Sequence, residues 1–461
     1  MNFAILSALG VAFGYAIAEK AGVELRDWNL TLFIVGVVGA VHFFWQFRAK
    51  IPKLDPVAAF SAVAVLLLTA FQLVPLPVNL LRILSPNRVD LLNATLPITG
   101  GSTRFVTLTA VPNQTAEYLL TLAGYFLVFL LVRDLSFRLS KWPWATAWPL
   151  LIVAALEAVL GVYQVYAQPS GGTATGTYVN RDHYAGLLEM VLPFAAMYPA
   201  AIMQREKDNR FESPALPAIN ASLLLAITAI LLVAIILSLS RMGFIAALAA
   251  LLVAGVTALS LRGRQSGNRL PAARWSRWIP PALLTMVIVL AFVFLPTNAL
   301  VARFADLANT DQISSDTRVQ MWRDTTGLIK AYPLFGCGMG GYESCFLRYK
   351  TVAPMATVDY AHNDYLQVLA ELGIFGFCAG LIFVMRIVQR TARAAAYASS
   401  IDQQYIAIAC LASIIAILLH SFVDFNMYVP ANGMAFAWVA GIAGPAVSRS
   451  TRHPSPKGDA N

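Results

Sequence analysis

The sequence predicts an all-α polytopic membrane protein of about twelve transmembrane helices, and three observations carry that reading. Of 461 residues, 58% are hydrophobic and only 12% charged, against about 25% charged in soluble domains. The apolar residues come in runs of roughly 15 to 20, close to the length that crosses a hydrocarbon core as a helix. The basic residues fall mainly in alternate connections between those runs, as the positive-inside rule requires. A soluble globular enzyme is thereby excluded. The net charge of +9 needs no nucleic-acid partner, because cytoplasmic loops of membrane proteins are basic.

Taken in order, the first apolar stretch, 3–18, ends in Ala16-Ile17-Ala18, which looks like a cleavage site. No Lys or Arg precedes it, so a retained helix is expected rather than a signal peptide. Stretches 30–47, 57–73 and 118–132 follow, the last two flanking 75–116, a first long outside segment. Four more come closely: 147–166, 184–203, 218–237 and 242–261, the final pair separated only by the turn Ser238-Leu239-Ser240-Arg241. After 279–295 comes the large outside loop, 296–361, which with 75–116 would be periplasmic in a bacterial inner membrane. Stretches 365–385, 405–419 and 431–447 complete the set and leave 448–461 as a cytoplasmic tail. No internal repeat divides the chain, so 1–461 reads as a single membrane domain.

With the N-terminus in the cytoplasm, the inside connections hold twenty Lys and Arg, while the short outside ones hold only Lys20, Arg26, Arg181 and Arg241. The remaining nine lie in the two long outside segments, where the rule applies weakly. Both termini are therefore expected in the cytoplasm.

Ionisable groups at bilayer depth are costly, so each invites a functional reading. His183, Arg241, His362, His420 and Asp424 all fall at outer ends of expected spans, and Arg303, Arg318 and Arg323 fall in the large loop. Glu157, Glu189 and Glu371 sit deeper, where partnership in helix packing is the plainer reading. The most informative string is Asp359-Tyr360-Ala361-His362-Asn363-Asp364-Tyr365-Leu366, running into Glu371-Leu372-Gly373-Ile374-Phe375-Gly376. His362 falls at a helix start, where the dipole favours a neutral imidazole able to accept a proton. A histidine that merely caps the loop is the equal alternative. Asp364, Gln367 and Glu371 share one helical face, expected to point inward.

Arg241 and Arg318 are candidates for anion binding, because two planar guanidinium forks can hold a pyrophosphate without a metal. Structural salt bridging is the alternative, and it is the favoured reading for Arg323, which has Asp324 beside it. No Asp-x-Asp pair occurs and the outside carboxylates do not cluster, so neither a metal nor a cofactor is expected, which disfavours a magnesium-dependent nucleotide-sugar transferase. Gly336-Cys337-Gly338-Met339-Gly340-Gly341 fits the letters of a dinucleotide fingerprint but lacks a preceding strand, so it reads as a glycine turn. The four cysteines show no metal-binding spacing, and Cys337 and Cys345 could pair in an oxidising compartment.

Together these strings resemble the O-antigen ligase and polymerase superfamily of bacterial envelope glycosyltransferases. The matching strings are Gly176-Thr177-Tyr178-Val179-Asn180-Arg181-Asp182-His183, Ser238 to Gly243, Arg318 to Trp322, Pro333 to Tyr342, His362 to Gly376, and His420-Ser421-Phe422-Val423-Asp424. In order they cover residues 170 to 430 or so. The resemblance implies a GT-C-type fold in the bacterial inner membrane that takes a glycan from undecaprenyl pyrophosphate and joins it, with inversion, to an acceptor hydroxyl on the periplasmic face. It implies His362 as catalytic base or acceptor-positioning residue and Arg241 and Arg318 as catalytic residues at the pyrophosphate. By the same resemblance Arg181, His183, Arg303, Tyr342, Asn363, His420 and Asp424 would bind substrate. Such chemistry needs no metal, since pyrophosphate leaves readily once its charge is stabilised and the acceptor is deprotonated. The implied partners are the lipid-linked donor, the acceptor and membrane lipids. Ligases of the superfamily use lipid A core as acceptor, polymerases a growing O-antigen or exopolysaccharide, and O-oligosaccharyltransferases a protein hydroxyl; the ligase reading leads narrowly. The rival from another class is a lipid-linked glycan transporter, which should show repeats and a polar path through the midplane. Here the polar residues crowd the outer ends instead.

Overall fold

The computed structural model describes residues 1–46, 53–99, 104–167, 172–208, 215–265, 315–351 and 357–449. Eleven of the twelve expected apolar stretches lie on helices; stretch 279–295 lies outside the described residues, as does 296–314 of the large loop. Among the described residues, eight helices are long and apolar enough to cross a membrane.

Helices α1 (Asn2–Ala18) and α2 (Leu25–Gln46) are joined by a turn in which Lys20 and Ala21 both take positive φ. Helix α3 (Pro56–Gln72) starts where Asp55 accepts hydrogen bonds from the amides of Val57 and Ala58, with Pro56 in the first turn, where its missing N–H costs nothing. Segment 75–116 is folded over its described residues. It contains two short helices, α4 (Val78–Leu84) and α5 (Pro86–Thr99), and an antiparallel ribbon of β1 (Pro75–Pro77) and β2 (Phe105–Thr107). The two prolines of β1 read as loop in sequence, yet each strand has one neighbour only, and an edge tolerates proline. Helix α6 (Pro112–Arg138) then begins six residues before the apolar stretch that announced it.

Next come α7 (Trp148–Ala167), α8 (Arg181–Asp208), α9 (Ala215–Leu237) and α10 (Arg241–Gln265). The large loop contributes α11 (Ser315–Ala331) and the short α12 (Tyr342–Phe346). The chain closes with α13 (Asp364–Tyr397), α14 (Ile401–His420) and α15 (Pro430–Arg449). Helix α14 is central because it is buried all round: every residue from Gln404 to Ile414 is enclosed. Helix α9 does the opposite, exposing Ile219, Leu223, Leu225 and Val233, an apolar face of the kind that lipid covers. Small residues set the close approaches, with Gly433 and Gly441 of α15 lying against Tyr125 and Val132 of α6.

Helix α13 is broken in its N-terminal third. Gly373 takes φ 64° and ψ −170°, a conformation essentially confined to glycine. The freed backbone groups are satisfied by the glycine loop: Cys337 and Gly338 amides donate to the carbonyls of Ala370 and Glu371, and Ile374 and Phe375 amides donate to those of Pro333 and Leu334. A Cβ on Gly336 would lie 2.1 Å from the Glu371 carbonyl, and one on Gly373 2.4 Å from the Leu334 carbonyl. The glycine string is thus a backbone docking surface for a broken helix, consistent with a turn and not with a nucleotide fold.

Candidate active site

The first turns of α8, α10 and α13, the last turn of α14 and the α14–α15 connection supply the polar residues picked out in the sequence. Their focus is Asp424. His183, in the first turn of α8, places Nε2 3.6 Å from Asp424 Oδ2. His362, just before α13, places Nδ1 3.4 Å from Asp424 Oδ1. His420, the last residue of α14, places Nε2 4.0 Å from Asp424 Oδ2, while its Nδ1 lies 3.0 Å from a carboxylate oxygen of Glu189 on α8. Three imidazoles thus surround one carboxylate. Burial pushes the Asp424 carboxyl up, but His183, His362 and His420 outweigh it and hold the group well below the ordinary carboxylate range.

The three histidines differ in access. The side chain of His362 is 18% exposed, against 8% for His183 and 1% for His420, so His362 is the one that faces the surroundings. Its backbone is unusual, with φ 47° in the left-handed region. The surroundings hold it there. Trp322 Nε1 donates to the Ala361 carbonyl (3.0 Å), Ala361 N donates to Gln367 Oε1 (2.7 Å), and Asn363 Oδ1 caps α13 by accepting from Leu366 N. Asn363 also donates through Nδ2 to the Phe422 carbonyl at 2.9 Å, tying the loop to the turn that carries Asp424. The rings of His183 and His362 make T-shaped contacts with that of Phe425, on which Tyr360 stacks at 4.1 Å.

Arg318 joins this group. Its Nη1 donates to the Val423 carbonyl at 3.2 Å, while its Nε is buried with no hydrogen-bond partner among the described residues. Arg241 opens α10, where Ser240 Oγ accepts from Gly243 N and Gly243 approaches Ala185 of α8. Arg181 is the first residue of α8, two positions before His183. Arg303 lies outside the described residues. Tyr342 belongs elsewhere: it is fully buried, its hydroxyl shares a 2.8 Å hydrogen bond with Thr325 Oγ1 and its ring stacks on Phe346, so the side chain packs the loop. The Arg323–Asp324 pairing also gives way, because the Asp324 carboxylate is taken up by Gln320 and by Thr351.

The deeper carboxylates have partners, as packing required. Glu371 accepts from Tyr342 N (3.1 Å), Gln367 Nε2 (3.3 Å) and Tyr428 Oη (2.7 Å), and Glu157 accepts from Thr177 N and Oγ1. Glu189 differs, since its partner His420 belongs to the cluster. Nothing in the sequence near Glu189 announces that partner, 231 positions away. Asp364 was legible as inward-facing, but its bond from Ser421 Oγ (2.6 Å) was not. Cys337 and Cys345 are buried free thiols. No group of three or more His, Cys, Asp or Glu among the described residues is arranged to hold a metal ion.

No curated protein matches this chain. Residues 226–381 match the family model described as O-Antigen ligase, a stretch that includes Arg241, Arg318 and His362 and stops short of His420 and Asp424. The match spans about a third of this multi-helix chain and marks a similarity to that family.

Proposed function

We propose that this chain is an O-antigen ligase-type glycosyltransferase of the bacterial inner membrane. It transfers a glycan from undecaprenyl pyrophosphate to a hydroxyl of lipid A core on the periplasmic face, with inversion and without a metal. The observation that carries the reading is the approach of the partly exposed His362 to the Asp424 carboxylate. Asp424 at 3.4 Å from Nδ1 favours a proton on that nitrogen, which leaves the Nε2 lone pair to accept one. In the reaction Nε2 takes the acceptor hydroxyl proton as the oxygen attacks the anomeric carbon. The bond from that carbon to the pyrophosphate oxygen breaks, and the pair of electrons leaves with the pyrophosphate. Arg318, whose Nε has no hydrogen-bond partner among the described residues, and Arg241 receive the charge that develops there. One displacement inverts the anomeric centre. His183 and Asn363 hold the loop and the turn together around the reacting groups, with Arg181 and Arg303 contributing positive charge to the donor side.

The test is reconstitution of the purified protein with lipid-linked glycan and lipid A core. Product is expected in the presence of EDTA, and His362→Ala should abolish it while donor binding persists. Near-normal turnover by His362→Ala would remove the general-base role. Product with a glycan acceptor and none with lipid A core would make the enzyme a polymerase.

A further inference from the structure

Segment 337–345 ties three parts of the molecule together. The Cys337 carbonyl accepts from Ala110 N at 3.0 Å, and the Cys337 amide donates to the Ala370 carbonyl of α13 at 2.9 Å. Met339 N donates to Gln72 Oε1 of α3 at 2.9 Å, while the Met339 carbonyl accepts from Thr115 Oγ1 of α6 at 2.8 Å. Tyr342 N donates to Glu371 Oε1 of α13. The segment also folds back on itself: Gly341 N donates to the Gly338 carbonyl, and Cys345 N, in α12, donates to that of Gly341. A turn followed by one helical turn thus returns Cys345 to Cys337.

Both side chains lie in one small core with Met321, Leu328, Tyr342 and Phe346, and the Cys337 thiol donates a hydrogen bond to the Cys345 sulfur. The two differ in character. Cys337 is fully enclosed, whereas Cys345 keeps 7% of its surface. The hydrogen bond and burial together push the Cys337 thiol well above its ordinary range. The same hydrogen bond, helped by the nearby Arg88 guanidinium, holds the Cys345 thiol below that range in spite of its burial. Arg88, on α5, is steadied by donating through Nε to the Thr109 carbonyl at 3.3 Å. The thiol that ionises more readily is therefore also the one nearer the surface, which is the division between an attacking and a resolving cysteine.

We propose that Cys337 and Cys345 form a redox-active dithiol whose oxidation to a disulfide clasps the glycine turn beneath the break in α13. The oxidant is an external disulfide, RSSR, of the compartment expected outside the cytoplasm. The Cys345 thiolate attacks one sulfur of RSSR and expels the other as RS⁻. The Cys337 thiol then loses its proton, attacks the Cys345 sulfur and expels the second RS⁻. The two protons given up by the protein thiols end on the two RS⁻, so one protein disulfide is made for each RSSR reduced to two RSH. The bond closes the segment whose amides hold Ala370 and Glu371, and so restrains the unfolded chain where the broken helix is supported. The proposal needs an oxidising compartment at this loop and is independent of the glycosyltransferase reading.

The experiment uses the full-length protein made in a bacterium with an oxidising periplasm. Membranes are dissolved in denaturant with N-ethylmaleimide and no reductant, then digested with trypsin. Peptide 331–348 holds Cys337 and Cys345 and no other cysteine. It should emerge without adduct, two hydrogens lighter than its dithiol form, and take two adducts only after reduction. Cys378 and Cys410 should take theirs in either case. An adduct on either cysteine of 331–348 without prior reduction overturns the proposal. For the purified protein, reduction should lower the unfolding temperature by several degrees, and oxidised glutathione should restore it. Protein carrying Cys337→Ala and Cys345→Ala should respond to neither. An equal response in that variant, or none in the wild type, overturns the clasp. Where the double variant does not fold, the wild-type peptide and its glutathione response decide.

Discussion

Asp424 is one buried carboxylate asked to orient three imidazoles, and its removal should be costly in a specific way. Asp424→Asn keeps the shape but removes the charge beside His362 Nδ1, so the base proposed above should lose its orienting partner. Transfer should fall by roughly a hundredfold or more, read as kcat in the reconstituted system with expression unchanged. The pH dependence has a defined sign. The folded carboxyl titrates below its unfolded value of about 3.9, so its contribution to stability is complete above that value and is lost only as pH falls through the lower folded one. Unfolding midpoints measured downward from neutrality should therefore lose the Asp424 contribution only in strong acid, and Asp424→Asn should flatten that acid limb. Arg318 makes a second residue-scale case. Its Nη1 holds the Val423 carbonyl while the buried Nε has no partner among the described residues, a division that lysine cannot reproduce. Arg318→Lys should raise donor KM and lower kcat together, and normal constants would remove the anion-binding role. His183, His362, His420 and Asp424 were all legible in the sequence because each is an ionisable residue at a span end. Glu189 was legible only as a buried acid, since depth predicts that a partner exists and not which one.

At the scale of elements, the break in α13 separates what sequence periodicity reveals from what it hides. Stretch 365–385 reads as one apolar run, and a glycine inside a membrane helix is unremarkable. The break exists because residues 333–338, some forty positions earlier, supply the amides and carbonyls that an unwound segment needs. Hydropathy carries no record of that pairing. Both strands of the contact depend on a missing side chain, so Gly373→Ala should lower the unfolding temperature. The expected cost is on the order of 1–3 kcal/mol for the backbone conformation, with further loss from the Cβ placed 2.4 Å from Leu334. A Gly373→Ala protein with an unshifted thermal transition would show that the break is not needed. The ribbon of β1 and β2 was hidden for a related reason: three residues are too few for an alternating pattern, and proline at both ends of β1 points to loop.

For the whole molecule, composition and the spacing of apolar runs were enough to find eleven helices, because a bilayer admits so few backbone solutions. Orientation rests on charge: twenty basic residues in one set of connections against four in the short members of the other. Reporter fusions after Arg264 and after Asn309 should therefore report opposite compartments, and a shared compartment would reject the topology. The ends of three different helices, α8, α13 and α14, meet at Asp424, and no one of them holds the cluster alone. The cluster behaves like the vernier of an instrument, magnifying small relative slippage of its parts. A slide of one helix by a single residue is about 1.5 Å, enough to part an imidazole from the carboxylate while leaving every helical hydrogen bond intact. On warming, transfer activity should therefore vanish at a lower temperature than helical circular dichroism, and coincident losses would mean that the helix ends move only when the bundle unfolds.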